Sequence, residues 1–302
     1  MGPDNVTLDM TRELFLALLA WLKKAPFDGN VVHLMGGEPT LHKDFVWMAE
    51  MTVNQGFDVA IFSNAATPKA PEYSEQLKHL DIRWIVNVNS PDTRTVAQEK
   101  SLRESLRILR ENVTLTFNMT PEPVSNEWLV DLIYDYTLRK KIKVGFVLPT
   151  LSHKNQYLDN DDYSRVAERV VAFASFCETF DISLDYECGI PWCAFTPSQL
   201  GQLWHANAKF FSSCDSILDI MPNGCVMYCL PLATLYAVPF DQFEDYPAAK
   251  QWYESTLNPY RPMGSTPTCF SCNLLRSGVC RGGCVARILH GARNIKAGVT
   301  RE

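Results

Sequence analysis

The apolar residues near the amino terminus recur at the spacing of an α-helix. They share one face of the predicted helix and are Leu14, Phe15, Leu18, Leu19 and Leu22. Asp9 is the candidate N-cap, and Lys23 and Lys24 would occupy the last turn, where cations suit the helix dipole. The chain is therefore predicted to open with a helix.

From residue 31 onward, short apolar runs typical of strands alternate with longer helical patterns. The strand-like runs span residues 31–35, 58–62, 82–88, 113–119, 142–148 and 181–186. The helical patterns between them span residues 42–55, 72–80, 98–112, 126–140 and 161–180. A strand roughly every 25–40 residues is the repeat of a βα unit, so the pattern predicts an α/β fold with a parallel sheet or a partial barrel. The active site is then expected at the carboxyl ends of the strands.

The alternation ends near residue 188, where cysteine, proline and turn residues become frequent. All ten cysteines lie between residues 177 and 284. We therefore predict an α/β domain over residues 1–187 and a small cysteine-rich domain over residues 188–302.

Composition narrows the class of partner. A net charge of −6 over 302 residues provides no broad electrostatic surface for a nucleic-acid backbone, which favours a small-molecule or peptide substrate. No stretch approaches the roughly 20 apolar residues that cross a bilayer, and the amino terminus lacks the pattern of a signal peptide. We expect a cytoplasmic protein without a membrane partner. In such a protein, closely spaced cysteines indicate metal ligands in preference to disulfides.

A glycine pair and a carboxylate follow the first predicted strand. Gly36, Gly37, Glu38 and Pro39 lie where that strand ends and before the next helical pattern. Glycines let a ligand approach the backbone closely, and a carboxylate at this place can hold a cationic amine. An ordinary turn from strand to helix is the alternative interpretation.

The motif GGEPTL at residues 36–41 resembles the loop with which radical S-adenosylmethionine (radical SAM) enzymes bind the amino group of S-adenosylmethionine. SNAAT at 63–67 is similar to the family's TNG-type turn, and NVNSPD at 87–92 to its strand-four segment. The resemblance implies that contacts to the ligand come from Ser63, Asn64, Asn89, Ser90 and Asn118, although each is also compatible with ordinary turn chemistry.

The cluster motif that defines this family, Cys-x3-Cys-x2-Cys, does not occur in the sequence. The chain also starts with a helix, so the resemblance implies a partial (β/α)6 barrel whose first strand is missing. We expect that the natural protein continues upstream, the alternative being a non-catalytic relative. On either interpretation, the chain by itself is not expected to perform the radical reaction.

The carboxyl-terminal cysteines have a regular spacing. Cys214, Gly224 and Cys229 form a Cys-x9-Gly-x4-Cys pattern, with a predicted hairpin that turns at residues 222–224. Downstream comes a Cys-x2-Cys-x7-Cys-x3-Cys pattern, formed by Cys269, Cys272, Cys280 and Cys284. The combination is similar to the SPASM/twitch domains that carry auxiliary iron–sulfur clusters.

This resemblance implies two auxiliary 4Fe–4S clusters. The first would be held by Cys214, Cys229 and Cys284 with an upstream cysteine, for which Cys193 is the candidate. The second would be held by Cys269, Cys272 and Cys280, with its fourth ligand left open between Cys188, Cys225, the substrate and a cysteine beyond residue 302. A structural zinc site is the main alternative, because Cys-x2-Cys pairs also hold zinc. Cys177 lies on an apolar helical face and is predicted to be packed.

The resemblance implies a radical SAM enzyme with oxidoreductase chemistry. In its complete form, such an enzyme would use S-adenosylmethionine and 4Fe–4S clusters to mature a peptide or protein. An electron donor such as flavodoxin or ferredoxin is the expected partner. The alternative is a non-catalytic iron–sulfur or zinc-binding protein that retains the barrel as a scaffold.

Overall fold

The computed structural model of the chain describes residues 8–121, 125–150, 157–187, 190–209, 214–215 and 217–296. Its contacts divide it into two compact units. The first comprises residues 1–118, 124–144 and 173–185, and the second residues 119–123, 145–172 and 186–302. The predicted division at residue 187 remains a prediction. In the described part of the chain, no helix is long and apolar enough to cross a membrane.

Six strands form one sheet in the order of the sequence. They are β1 (Val31–Leu34), β2 (Asp58–Ser63), β3 (Ile82–Asn87), β4 (Val113–Met119), β5 (Lys141–Phe146) and β6 (Ser183–Tyr186). The pairs from β1 to β4 are parallel, with Val31 opposite Asp58, Val59 opposite Ile82 and Trp84 opposite Val113. The predicted α/β class is confirmed, and each strand begins or ends within two residues of its predicted bounds. Closure into a partial barrel remains a prediction.

Helices connect these strands as the alternation predicts. They are α1 (Arg12–Leu22), α2 (Phe45–Asn54), α3 (Ala70–Leu77), α4 (Val96–Leu109), α5 (Trp128–Asp135) and α6 (Tyr163–Glu178). The predicted N-cap of α1 is wrong: the Thr11 hydroxyl, not Asp9, accepts a hydrogen bond from the Leu14 N–H at 3.2 Å. Asp9 lies too far upstream of Arg12 to reach the unpaired N–H groups of the first turn.

Apolar helix faces cover the strands of the first unit. In α4, Leu102, Leu106 and Leu109 are at most 2% exposed, and burial of each leucine contributes about 1.5–3 kcal/mol. A capping box between Thr95 and Gln98 fixes the first residue of this helix. The amino end of α4 is therefore held firmly, next to the loop that follows β3.

The second unit contains a three-stranded antiparallel sheet of β7 (Asp219–Ile220), β8 (Cys225–Met227) and β9 (Val238–Pro239). The predicted hairpin is confirmed, since Asp219 pairs with Met227 across a turn in which Gly224 has a φ of 81°. This conformation favours glycine. The remaining helices are α7 (Pro197–His205), α8 (Tyr246–Leu257), α9 (Asn273–Arg276) and α10 (Val285–Lys296).

Candidate functional site

The loop after β1 is built around the side chain of Glu38. Its Oε1 atom accepts hydrogen bonds from the Thr40 hydroxyl (2.6 Å), the Thr40 backbone N–H (3.1 Å) and the Ser63 hydroxyl (2.7 Å). Its Oε2 atom accepts one from the Asn64 backbone N–H (2.7 Å). Glu38 is only 9% exposed. The carboxylate thus joins the end of β1 to the end of β2.

Any amine bound by Glu38 has to share the carboxylate with these four hydrogen bonds. A carboxylate has about four lone-pair positions, two on each oxygen. Oε1 already accepts three bonds, whereas Oε2 accepts one from the described residues. Oε2 is therefore the atom that can accept a further, charge-assisted hydrogen bond from an ammonium group.

Three neighbours of Glu38 shape the loop. Gly36 has a φ of 157°, a conformation that residues with a side chain rarely adopt, although the space beside its Cα is open. Gly37 is exposed, and Pro39 begins a short 3-10 turn for which Glu38 is the N-cap. Glycine at position 36 is thus required by the backbone conformation and not by crowding.

The turn after β2 is held by its own side chains. The Ser63 hydroxyl accepts a hydrogen bond from the Ala65 N–H at 2.9 Å, and the Asn64 side-chain oxygen accepts one from the Ala66 N–H at 2.8 Å. Ala65 is fully buried and has a φ of 53°, in the left-handed region that favours glycine. Ala65 stands at the position of the glycine in the TNG-type turn that the sequence resembles, and a glycine would adopt this φ with less strain.

The other predicted contact residues lie at the carboxyl ends of the next two strands. Asn89 and Ser90 come directly after β3, and Asn118 lies near the end of β4 with its side chain exposed. Because the carboxyl ends of parallel strands meet at one edge, these side chains share an edge of the sheet with Ser63 and Asn64.

A residue that sequence reasoning missed orders the loop after β3. The Arg94 guanidinium donates to the Asn89 carbonyl at 2.6 Å, pairs with Glu99 at 2.7 Å and lies over the Trp128 ring at 5.3 Å. Its side chain is 9% exposed. Arg94 thereby fixes the backbone at Asn89, and no motif in the sequence marks it.

A cavity of about 230 Å³ lies beside the Glu38 loop and is lined by Thr40, Leu41, Thr67, Pro68 and Lys69. A larger cavity of about 630 Å³, lined by residues of α3 and α4, contains none of the predicted site residues. The candidate site is therefore located by its hydrogen-bond geometry and not by cavity size.

Among the cysteines of the second unit, Cys214 has a lowered pKa. The Cys284 thiol donates to Cys214, and together with the Val285 N–H and the charge of Arg261 this lowers the pKa of Cys214 to about 6 against the opposing effect of burial. The same hydrogen bond, followed by burial, raises the pKa of Cys284. A lowered pKa favours the thiolate of Cys214, which is the form that binds metal.

Cys229 belongs to the same neighbourhood, since its charge also raises the pKa of Cys284. After burial, the groups that raise the pKa of Cys193 are Cys269, Cys280 and Cys272, which belong to the downstream Cys-x2-Cys-x7-Cys set. The pairing of Cys193 with Cys214, Cys229 and Cys284 remains a prediction.

Glycines bring the cysteine loops close together. A Cβ atom on Gly264 would lie 2.5 Å from the Cys269 sulfur, and one on Gly282 would lie 2.3 Å from the Arg261 carbonyl. A Cβ atom on Gly283 would lie 2.7 Å from the Ser265 hydroxyl and 4.0 Å from Pro191, two residues before Cys193. All three glycines also have positive φ, so a side chain at any of them would both clash and be strained.

In the described residues, no three His, Cys, Asp or Glu side chains converge closely enough to hold a single metal ion. The sulfur atoms that bind a four-iron core lie further apart than the ligands of a single metal ion. Two observations in the second unit are compatible with such a core: the lowered pKa of Cys214, and several buried N–H and O–H donors that have no hydrogen-bond partner among the described residues. These donors belong to Tyr163, Trp192, Arg261 and Arg287.

Three cysteines remain from the sequence predictions. Cys177 is fully buried on α6, and burial raises the pKa of its thiol to about 12, as expected for a packed cysteine. Cys188 lies outside the described residues. Cys225 begins β8 and is partly buried.

No protein-family model and no curated protein sequence matches the chain. Solved structures share its fold. SuiB from Streptococcus suis bound to S-adenosylmethionine superposes with a TM-score of 0.64 at 15% identity, over 92% of this chain and 67% of SuiB. The protein anSMEcpe, in histidine-tagged form with bound AdoMet, gives 0.58 at 14% identity, over 91% of this chain and 80% of its own.

SuiB bound to its precursor peptide SuiA gives a TM-score of 0.55 at 16% identity, over 86% of this chain. The chain spans 62% of the length of SuiB in that complex. At these identities the comparison establishes the fold, which is that of proteins crystallised with S-adenosylmethionine and, for SuiB, with a peptide.

Proposed function

We propose that this chain is the S-adenosylmethionine-binding core of a radical SAM enzyme that carries auxiliary iron–sulfur clusters and, in its complete form, modifies a peptide. The observation that carries the proposal is the Glu38 carboxylate, which joins the ends of β1 and β2 within a fold shared with two S-adenosylmethionine complexes. The GGEPTL sequence at this place is the one expected of such a loop.

In this proposal, Glu38 Oε2 accepts a hydrogen bond from the ligand's ammonium group. Ser63 and Thr40 fix the carboxylate by their bonds to Oε1, so its orientation is set before the ligand arrives. Asn89, Ser90 and Asn118 lie at the same edge of the sheet and are the candidate contacts to the adenosine and methionine groups. Arg94 holds the Asn89 backbone in place for that contact.

The cysteines are proposed to hold two auxiliary clusters. Cys214, Cys229 and Cys284 form the first set, and Cys193 joins Cys269, Cys272 and Cys280 as the fourth ligand of the second. The charges of Cys269, Cys280 and Cys272, which raise the pKa of Cys193, support this assignment. When bound, such clusters supply one-electron redox chemistry.

A peptide is the proposed substrate class, and a flavodoxin or ferredoxin the proposed electron donor. The fold likeness to SuiB in complex with its precursor peptide supports the former. The net charge of −6 agrees with a partner other than nucleic acid.

Ligand-observed NMR with S-adenosylmethionine tests the proposal in the chain as it exists. Binding is expected to be weak, because the sequence lacks the Cys-x3-Cys-x2-Cys motif whose cluster would chelate the methionine group. Glu38→Gln should weaken it about tenfold or more, since a charge-assisted contact is worth roughly 1.5–3 kcal/mol.

Glu104→Gln is the matched control, because Glu104 is exposed on α4 and the substitution changes the charge equally. Measurements at low temperature keep both variants folded. Binding that is equally strong in the wild type and Glu38→Gln contradicts the proposed ammonium contact.

A further inference from the structure

A buried arginine lies beside Cys214 in the second unit. Arg261 is 7% exposed, and its Nη2 atom donates to the Cys214 carbonyl at 2.7 Å and to the Tyr228 hydroxyl oxygen at 3.3 Å. Its Nε atom donates to the Asn258 side-chain oxygen at 3.1 Å. The Tyr228 hydroxyl in turn donates to the Cys214 carbonyl at 3.0 Å. These bonds fix the guanidinium next to Cys214.

The charge of Arg261 is not neutralised by a carboxylate of the described residues. Its Nη1 atom is buried and has no hydrogen-bond partner among them. A buried charge without an anion is costly, and a buried donor without an acceptor adds to that cost. An anionic acceptor is therefore expected beside Nη1.

The anionic group proposed for this place is the cluster held by the first cysteine set. The Arg261 guanidinium is bonded to the main chain of Cys214, a member of that set, both directly through Nη2 at 2.7 Å and through the Tyr228 hydroxyl. The backbone supports this placement, because Gly282, two residues before Cys284, packs against the Arg261 carbonyl. The guanidinium therefore lies beside the proposed cluster site.

We propose that Arg261 is a charge-compensating positioning residue that stabilises the reduced form of the iron–sulfur core held by Cys214, Cys229 and Cys284. The inference rests on the proposed function, because it assumes that a cluster binds there. Reduction transfers one electron from a chemical reductant or a redox partner to the core. No bond breaks and no proton is taken up, since an arginine guanidinium stays charged.

A fixed buried cation favours the state with more negative charge, and hydrogen bonds to the sulfurs of a cluster act in the same direction. Replacement of Arg261 by glutamine should therefore shift the one-electron equilibrium toward the oxidised form by about tenfold or more, which is a fall of about 59 mV in midpoint potential. Arg261→Lys keeps the charge but not the fork of donors, so its potential should lie between the two.

The experiment is an anaerobic redox titration, monitored by EPR, of the full chain after reconstitution with iron and sulfide. Arg165→Gln is the control, because Arg165 is an exposed residue of α6 in the same unit and its loss changes the net charge equally. A second readout is iron and sulfide content, which Arg261→Lys should leave at the wild-type value.

Lower potentials in the order wild type, Arg261→Lys, Arg261→Gln, with Arg165→Gln unchanged, support the inference. Should Arg261→Gln not fold, a lowered potential in Arg261→Lys carries the same conclusion. Equal potentials in wild type and Arg261→Lys, with Arg261→Gln either equal or unfolded, overturn the inference and leave the proposed function standing. A wild-type chain that takes up no iron and sulfide overturns both.

Discussion

Replacement of Glu38 by glutamine should lower the stability of the first unit, because the carboxylate is a structural tie as well as a candidate ligand contact. Its two oxygens accept four hydrogen bonds from Thr40, Ser63 and Asn64. A glutamine amide offers one oxygen and one NH2 group. If the amide oxygen takes the position of Oε1, the NH2 group takes the position of Oε2. This NH2 group and the Asn64 N–H are both donors, so the hydrogen bond between residues 38 and 64 is lost.

The magnitude follows from that one lost bond. A hydrogen bond to a charged group contributes roughly 1.5–3 kcal/mol to stability. The opposite orientation, with the NH2 group at the position of Oε1, would lose three hydrogen bonds instead of one. A change of 1 kcal/mol shifts the melting temperature of a domain of this size by about 2–4 °C. Glu38→Gln should therefore lower the melting temperature by about 3–12 °C.

Thermal unfolding followed by circular dichroism measures the change, with Glu104→Gln as the control expected to keep the wild-type melting temperature. Amide hydrogen exchange gives a local readout, since the Asn64 N–H loses its acceptor and should exchange faster in Glu38→Gln. An unchanged melting temperature together with unchanged exchange at Asn64 would refute the structural role of Glu38.

Two further predictions concern the second unit. Cys193→Ser should lower the iron bound after reconstitution, because the second cysteine set loses its fourth ligand, whereas Cys225→Ser should leave the iron content unchanged. The reverse pattern contradicts the assignment. Burial raises the pKa of Asp219 to about 6 from an ordinary 3.8, partly opposed by a hydrogen bond from Leu230. The folded state then binds the proton more tightly, so the unfolding free energy falls as pH rises from about 4 to 6 and stays low above. In urea unfolding, Asp219→Asn should therefore stabilise the chain by up to about 3 kcal/mol at pH 7.5 and by little at pH 4. Equal gains at both pH values exclude the charge of Asp219 as the cause.

Hydrophobic periodicity was sufficient to predict the six strands of the larger sheet. Each of the six strands carries an apolar run, and burial on both faces of a parallel sheet requires such runs. The N-cap of α1 was not predictable in the same way, because Asp9 and Thr11 are both good capping residues and only the first helical residue decides between them.

The candidate site was predictable in part. Glu38, Ser63 and Asn64 are marked by motifs, and the parallel order of β1 and β2 brings them together. Arg94 and Arg261 could not be found, because a single arginine has no characteristic spacing and its role depends on which carbonyl it reaches. The grouping of Cys193 depends on loops without a periodic pattern, whose paths are set by glycines such as Gly283.

The proposed function requires that the cysteines of the second unit hold iron–sulfur clusters. Anaerobic reconstitution of the chain, followed by analysis of iron, acid-labile sulfide and zinc, tests this requirement. Iron and sulfide are expected in about equal amounts, with about four or eight of each per chain and little zinc. One zinc per chain without sulfide would contradict it and identify the cysteines as a structural zinc site.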